Sequence, residues 1–97
     1  MAQVQLIARH TIKPGHEDEV FGLLPGFIEA CRAEPGNLAF DAYRKMDDDR
    51  SYVLLERYVS RSALADHRAS AHFTQVLLPR IVPLLETRTI EEYDAPD

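Results

Sequence analysis

Apolar and polar residues alternate through QVQLIARHTIK (3–13), with Val4, Leu6, Ala8, His10 and Ile12 on one face and Gln5, Ile7, Arg9 and Thr11 on the other. A period of two is that of a strand, and Pro14-Gly15 ends it. The period then changes. Over 16–34, Val20, Leu23, Leu24, Phe27, Ile28 and Cys31 recur at steps of three and four, the apolar stripe of a helix. Glu17, Asp18 and Glu19 fill its first turn, where the helix dipole favours acids. Pro25-Gly26 lies in the middle, and a proline there removes a donor and clashes one turn back, so a kink or short break is expected. AEPGN (33–37) is a stop signal.

Alternation returns in NLAFDAYRKM (37–46), with Leu38, Phe40, Ala42 and Arg44 on one face and Ala39, Asp41, Tyr43 and Lys45 on the other. DDDR (47–50) reads as a solvated hairpin turn, because the ligand spacing and later glutamate of a calcium loop are missing. SYVLLERYV (51–59) forms a third strand, apolar on both faces. Ser60 is a candidate N-cap for a helix over 61–69. Ser70 is a candidate cap for a second helix to about residue 85, made irregular by Pro79 and Pro83, and ETRTIEEY (86–93) alternates weakly as a last strand. The order β-α-β-β-α-β predicts an α+β, ferredoxin-like fold with helices on one face of an antiparallel sheet. The other face, carrying Ile7, Val53, Leu55 and Val59 or their counterparts, needs a cover, and pairing with a second copy is the economical one.

The chain of 97 residues suits a single domain, 1–97. Its net charge of −5 and pI near 5.3, with Arg and Lys scattered singly, argue against nucleic acid as a partner. The lone Cys31 excludes an internal disulfide and suits a reducing, cytoplasmic setting. The N-terminus lacks the basic and apolar regions of a signal peptide, and no apolar run reaches the ~20 residues of a membrane span. No phosphate-binding glycine loop, CxxC pair or other cofactor signature is present.

Histidines carry most of the candidate chemistry. His67 and His72 lie five positions apart. On one continuous helix they would diverge by about 140°, which is a poor metal pair; a break at Ser70 would rescue it, but no acid or Cys waits nearby at ligand spacing, so no metal is expected. His67, one turn from Leu64, should face the sheet. Spacing leaves open whether it is a core histidine satisfied by a carbonyl or a group that moves protons near neutral pH. Glu56 sits mid-strand between Leu54 and Tyr58 and needs a partner, with His67 or an arginine as the candidate. Tyr43, Tyr52 and Tyr58 offer hydroxyls and flat walls, while Arg44 and His10 fall near strand ends.

EACRAEPGNLAFDAYR (29–44) resembles the EPG-x-L-x-(F/Y) helix-to-strand junction of the antibiotic biosynthesis monooxygenase family. LLERYVSRSALADHRASAHF (54–73) resembles that family's segment E-x-(W/Y)-x-S-x-x-A-L-x-x-H-x-x-S-x-H-F, and KPGHEDEVFGLL (13–24) fits its first helix start. The resemblance implies a dimeric α+β barrel of two face-to-face sheets. It also implies a cofactor-independent oxidation of a quinol or polyketide-like phenol, in which the substrate is activated toward O2 and supplies the electrons. On that resemblance His67 is the general base and Glu56 orients it. Tyr43 and Tyr58 line an aromatic slot, and Arg44, His72 and Phe73 join them as substrate-binding residues. Tyr58 stands where many relatives have Trp. Heme-degrading members of the fold use a first-strand Asn and a Trp, and Ala8 and the absence of Trp oppose that branch. Two alternatives remain. One is an isomerase-type enzyme acting on a small phosphorylated signalling molecule, with Arg44, Arg57 or Arg68 as anion ligands. The other is a non-catalytic, dimeric small-ligand binder.

Overall fold

A computed structural model describes residues 2–96. Strand β1 (Gln3–Ile12) buries Val4, Leu6, Ala8, His10 and Ile12, the face that its alternation predicts. Helix α1 (Glu17–Arg32) follows a turn in which Gly15 takes a φ of 88°. The helix is uninterrupted, contrary to the break considered at Pro25-Gly26. Pro25 is exposed and its missing N–H falls on the solvent side, while Val20, Leu24, Phe27 and Cys31 hold the buried stripe together across it.

Strands β2 (Asn37–Arg44) and β3 (Ser51–Tyr58) form a hairpin, and β4 (Leu85–Ala95) closes the antiparallel sheet in the order β2-β3-β1-β4. Between β3 and β4 the chain makes helix α2 (Arg61–Ala69), capped by Ser60 Oγ accepting from Ala63 N at 3.1 Å. The second predicted helix takes another form. Phe73–Ile81 is a π-helix, with Val82 N donating to Leu77 O, and Val82–Leu84 is one 3₁₀ turn. Pro79 and Pro83 each lack a donor, and the wider and then tighter coils accommodate them where a regular α-helix would not.

The sheet's helix-facing side carries two apolar clusters. The larger joins β1, β2 and β3 to α1 and the π-helix through Ala8, Phe27, Phe40, Leu54, Leu77 and Ile81, among others. The smaller packs Val4, Leu6 and Tyr58 under Leu64 of α2. Gly36 fixes the approach of α2 to the α1–β2 junction. A Cβ there would lie 2.4 Å from Ala63 Cβ, and Gly36 O also accepts from Val59 N at 3.0 Å. Gly36→Ala should therefore destabilise the fold by about 1–3 kcal/mol, read as a lower urea midpoint at unchanged slope.

The opposite side of the sheet is open. Ile7, Val53 and Leu55 are half-buried there, and Tyr43 and Tyr93 are 58% and 49% exposed. Among the described residues no helix is long and apolar enough to cross a membrane.

Candidate active site

The register of the sheet sets His10, Leu6, Ala8, Leu54, Glu56, Arg88 and Ile90 on the helix-facing side, since His10 pairs with Tyr52 and Arg88, and Leu6 with Glu56. Phe27, His67, Arg68, Phe73 and Leu77 come down from the helices, and together these groups enclose a small cavity of about 20 Å³. That is room for about one water or one O2.

His67 is 3% exposed. It occupies the inward face of α2, and rings surround it: Phe73 at 5.1 Å, Tyr58 at 5.2 Å and Phe40 at 5.9 Å between centroids. Its Nδ1 lies 2.8 Å from Glu34 Oε2, while its Nε2 stands 3.9 Å from Glu56 Oε1. The carboxylate within hydrogen-bonding distance of His67 is therefore Glu34, while Glu56, to which the resemblance gave the orienting role, stands beyond that distance. Glu34 follows the last turn of α1, within the EPG motif, where the chain reverses and aims it at α2. Burial lowers the His67 pKa, against the opposing pull of Glu34. The ring thus tends to the neutral form, with a hydrogen on Nδ1 toward Glu34 and a lone pair on Nε2.

Glu56 is 5% exposed. Tyr58 Oη donates to its Oε1 at 2.8 Å. Burial pushes the carboxyl up to about 7, against the Tyr58 hydrogen bond and the charges of Arg88 and Arg68. Burial and the Glu56 charge push the Tyr58 phenol far up in turn, so it stays a donor.

His72 overturns the expected divergence of the two histidines. Helix α2 ends at Ala69, and Ser70 has an extended ψ of 156°. That break turns the chain so that His72 Nε2 also reaches Glu34 Oε2, at 2.5 Å. Ser70 holds the corner, donating to His67 O at 2.6 Å and accepting from Phe73 N at 3.3 Å.

Two expected substrate residues lie elsewhere. Tyr43 pairs with Val53 and faces the open side of the sheet, away from the cavity. Arg44 keeps to the helix side but at the far end of β2, its guanidinium 4.1 Å from the Phe21 ring centroid. In the pleat, a residue shares the Phe40 face only at even spacing, which sets Tyr43 on the other face, and Arg44, over Phe21, does not line the cavity. Phe73 lines the cavity, and Tyr58 sits behind Glu56. His10 and Arg88 are additions that resemblance did not single out. His10 Nδ1 lies 2.7 Å from Tyr52 Oη, and burial followed by Arg88 lowers its pKa to about 4, so the ring is neutral. Strand alternation had marked His10 as inward, and the β1–β4 register supplies Arg88.

A family model described as antibiotic biosynthesis monooxygenase matches residues 4–77. "Putative monooxygenase Rv0793" of Mycobacterium tuberculosis is 40% identical over 70 residues, covering 72% of this chain and 68% of that protein. "Putative monooxygenase YcnE" of Bacillus subtilis is 29% identical over 62 residues, covering 64% of this chain and 65% of its own length. Among solved structures, one described as an antibiotic biosynthesis monooxygenase superposes with a TM-score of 0.89 at 34% identity, covering 97% of this chain and 99% of that one. The structure of Rv0793 gives 0.89 at 32% identity, covering 98% and 96%. The matched segment contains Glu34, Glu56, His67 and His72, so the family model spans this acid–histidine arrangement, and this chain belongs to the antibiotic biosynthesis monooxygenase family.

Proposed function

We propose that the chain is a cofactor-independent monooxygenase that oxidises a small quinol, or a phenolic, polyketide-like substrate, with O2. The observation that supports this reading most is the imidazole of His67, tied through Nδ1 to Glu34 with Nε2 turned toward Glu56 at the cavity. A carboxylate on one ring nitrogen fixes the tautomer that makes the other a base. His67 Nε2 takes the phenolic proton. The anion passes one electron to O2, and the superoxide and substrate radical combine at a ring carbon that carries hydrogen. The hydroperoxide then loses water and leaves a carbonyl. One oxygen atom enters the product, the other leaves as water, and the substrate supplies every electron. His67 gives the phenolic proton to the peroxide, and Glu56, with a pKa near 7, can give a proton to the departing oxygen and take the ring-carbon hydrogen in exchange.

A quinol ring is larger than the cavity. Binding therefore requires the lining to yield, and the π-helix, which contributes Phe73 and Leu77 to it, is one segment of that lining. That segment suits the task, because π-helical turns are rare and collect at functional sites. The tightness of the cavity is also what favours the second reading, a binder of a small ligand with no turnover. Oxygen uptake over a panel of benzo-, naphtho- and anthra-type hydroquinones separates the two. The enzyme reading expects substrate-dependent uptake and ¹⁸O from ¹⁸O2 in the product. Silence across the panel rejects the substrate class.

The open sheet face supports a homodimer, in which Ile7, Val53, Leu55, Tyr43 and Tyr93 would pack against a second copy and complete an α+β barrel. Sedimentation is expected to give twice the chain mass of 11.0 kDa, and Leu55→Glu to give the single-chain mass. A wild type that sediments as a single chain at micromolar concentration rejects the dimer.

A further inference from the structure

We propose that Cys31, Glu34, His67 and His72 form a binding site for a thiophilic divalent cation of the zinc class. The four side chains come from two segments. Cys31 and Glu34 are one turn apart at the end of α1, and His67 and His72 flank the Ser70 break. One ligand atom from each, Sγ, a carboxylate oxygen and two imidazole nitrogens, lies within 4.8 Å of every other. A tetrahedral zinc ion with bonds of about 2.0–2.3 Å holds its donors roughly 3.3–3.7 Å apart. The cluster therefore has to contract by about 1 Å at its widest, while Glu34 backs away from the histidines it now touches at 2.8 and 2.5 Å. Glu34 and His72, the two less buried members, sit on the solvent side and can make that adjustment, whereas Cys31 and His67 are fixed in the core.

Donor chemistry selects the ion. A sulfur, two imidazoles and one carboxylate are the ligands of zinc and its neighbours, not of magnesium or calcium, which want oxygen alone. The charges balance, since one thiolate and one carboxylate cancel two positive charges. Without a cation, burial and the charges of Glu34 and Glu56 hold Cys31 as a thiol, so binding releases its proton. The surroundings are those of a supported site. Glu56 stands on the far side of His67, 3.9 Å from its other nitrogen, and a shift of about 1 Å would make the hydrogen bond that steadies metal-bound histidines. Phe27 lies 5.8 Å from His72 and 6.4 Å from His67, between centroids, giving an apolar wall. A cation on His67 Nδ1 would leave the ring proton on Nε2, which removes the base invoked above. That consequence rests on the monooxygenase reading, but the site itself does not.

The test uses the whole protein, stripped with a chelator and exchanged into chelator-free buffer, then titrated with Co²⁺ and with Zn²⁺. Wild type should develop a thiolate-to-cobalt band in the near ultraviolet together with the intense visible bands of tetrahedral Co²⁺, both bleached by one equivalent of Zn²⁺. Cys31→Ser should lose the near-ultraviolet band, and His72→Gln, at the rim where folding is least at risk, should weaken Zn²⁺ binding at least about tenfold. Zn²⁺ should also raise the melting temperature of wild type more than that of His72→Gln. No near-ultraviolet band with wild type, or a spectrum and affinity untouched in both variants, overturns the site. These readouts do not involve turnover, so their failure leaves the oxidation reading standing, and failure of oxygen uptake leaves the cation site standing.

Discussion

His67→Ala is expected to lower substrate-dependent oxygen consumption by about 10²–10⁴-fold, the range a positioned acid–base group contributes. The argument is geometric. His67 is the one imidazole at the cavity that an acceptor, Glu34, fixes through one nitrogen while its other nitrogen stays beyond hydrogen-bonding distance of Glu56. His10 also lines the cavity, but its Nδ1 is engaged by Tyr52 and its low pKa makes it a poor proton acceptor. Removing the His67 ring leaves a ring-sized void, so added imidazole should restore part of the rate, an outcome that a structural role for His67 does not produce. Glu34→Gln keeps the side-chain size and removes the charge that holds Nδ1–H. Its loss of rate should be smaller than that of His67→Ala and should not respond to imidazole. Equal rates for wild type and His67→Ala under saturating substrate reject His67 as the base.

The second large effect is on stability and comes from two buried groups that oppose one another. His10 has its pKa lowered to about 4 by burial and by Arg88, with Tyr52 against its other nitrogen. A lowered folded pKa stabilises above the unfolded value near 6.5, and that contribution is lost as pH falls from about 6.5 through 4. Glu56 has its pKa raised to about 7 by burial, against Tyr58, Arg88 and Arg68 and with Glu34 adding to the rise. A raised folded pKa stabilises below the unfolded value near 4.5, and that contribution is lost as pH rises from about 4.5 through 7. Each shift corresponds to up to about 3 kcal/mol. In wild type the two slopes oppose one another between pH 4.5 and 6.5, with the lowered pKa of His67 adding to the His10 side. Glu56→Gln, which keeps an acceptor for Tyr58, should therefore make stability fall on acidification over that window. His10→Gln should make it rise. Urea unfolding at pH 4.5, 5.5 and 6.5 reads both slopes, and parallel curves for all three proteins would reject the pairing.

The strands were legible because the pleat writes itself into the sequence. The inward set Val4, Leu6, Ala8, His10 and Ile12, and the matching set on β3, follow from alternation alone, and with them the inward placement of Glu56. His67 was legible from its spacing to Leu64. For His67 and His72 the sequence offered a break at Ser70 as the way to bring them together but not that it occurs, because that depends on one ψ angle that converts divergence into convergence. Glu34 was hidden for a different reason. It belongs to a turn, and a turn pattern reports that the chain reverses, not where a side chain in it will reach. The EPG motif held the signal, read there as punctuation. The π-helix was also out of reach. Pro79 and Pro83 announced irregularity, but apolar spacing does not distinguish a wide coil from a bent α-helix.

The sheet lends one surface to the cavity and the other to the open face, and the same two central strands serve both. On β3, Leu54 and Glu56 look toward His67, while Val53, Leu55 and Arg57 look the opposite way. A slip of β3 by one position would thrust the carboxyl of residue 56 outward and bring the leucine of residue 55 in beside the imidazole. Any neighbour that grips the outer layer therefore also polices the alignment beneath it, and chemistry on one side of this single-ply wall is hostage to adhesion on the other.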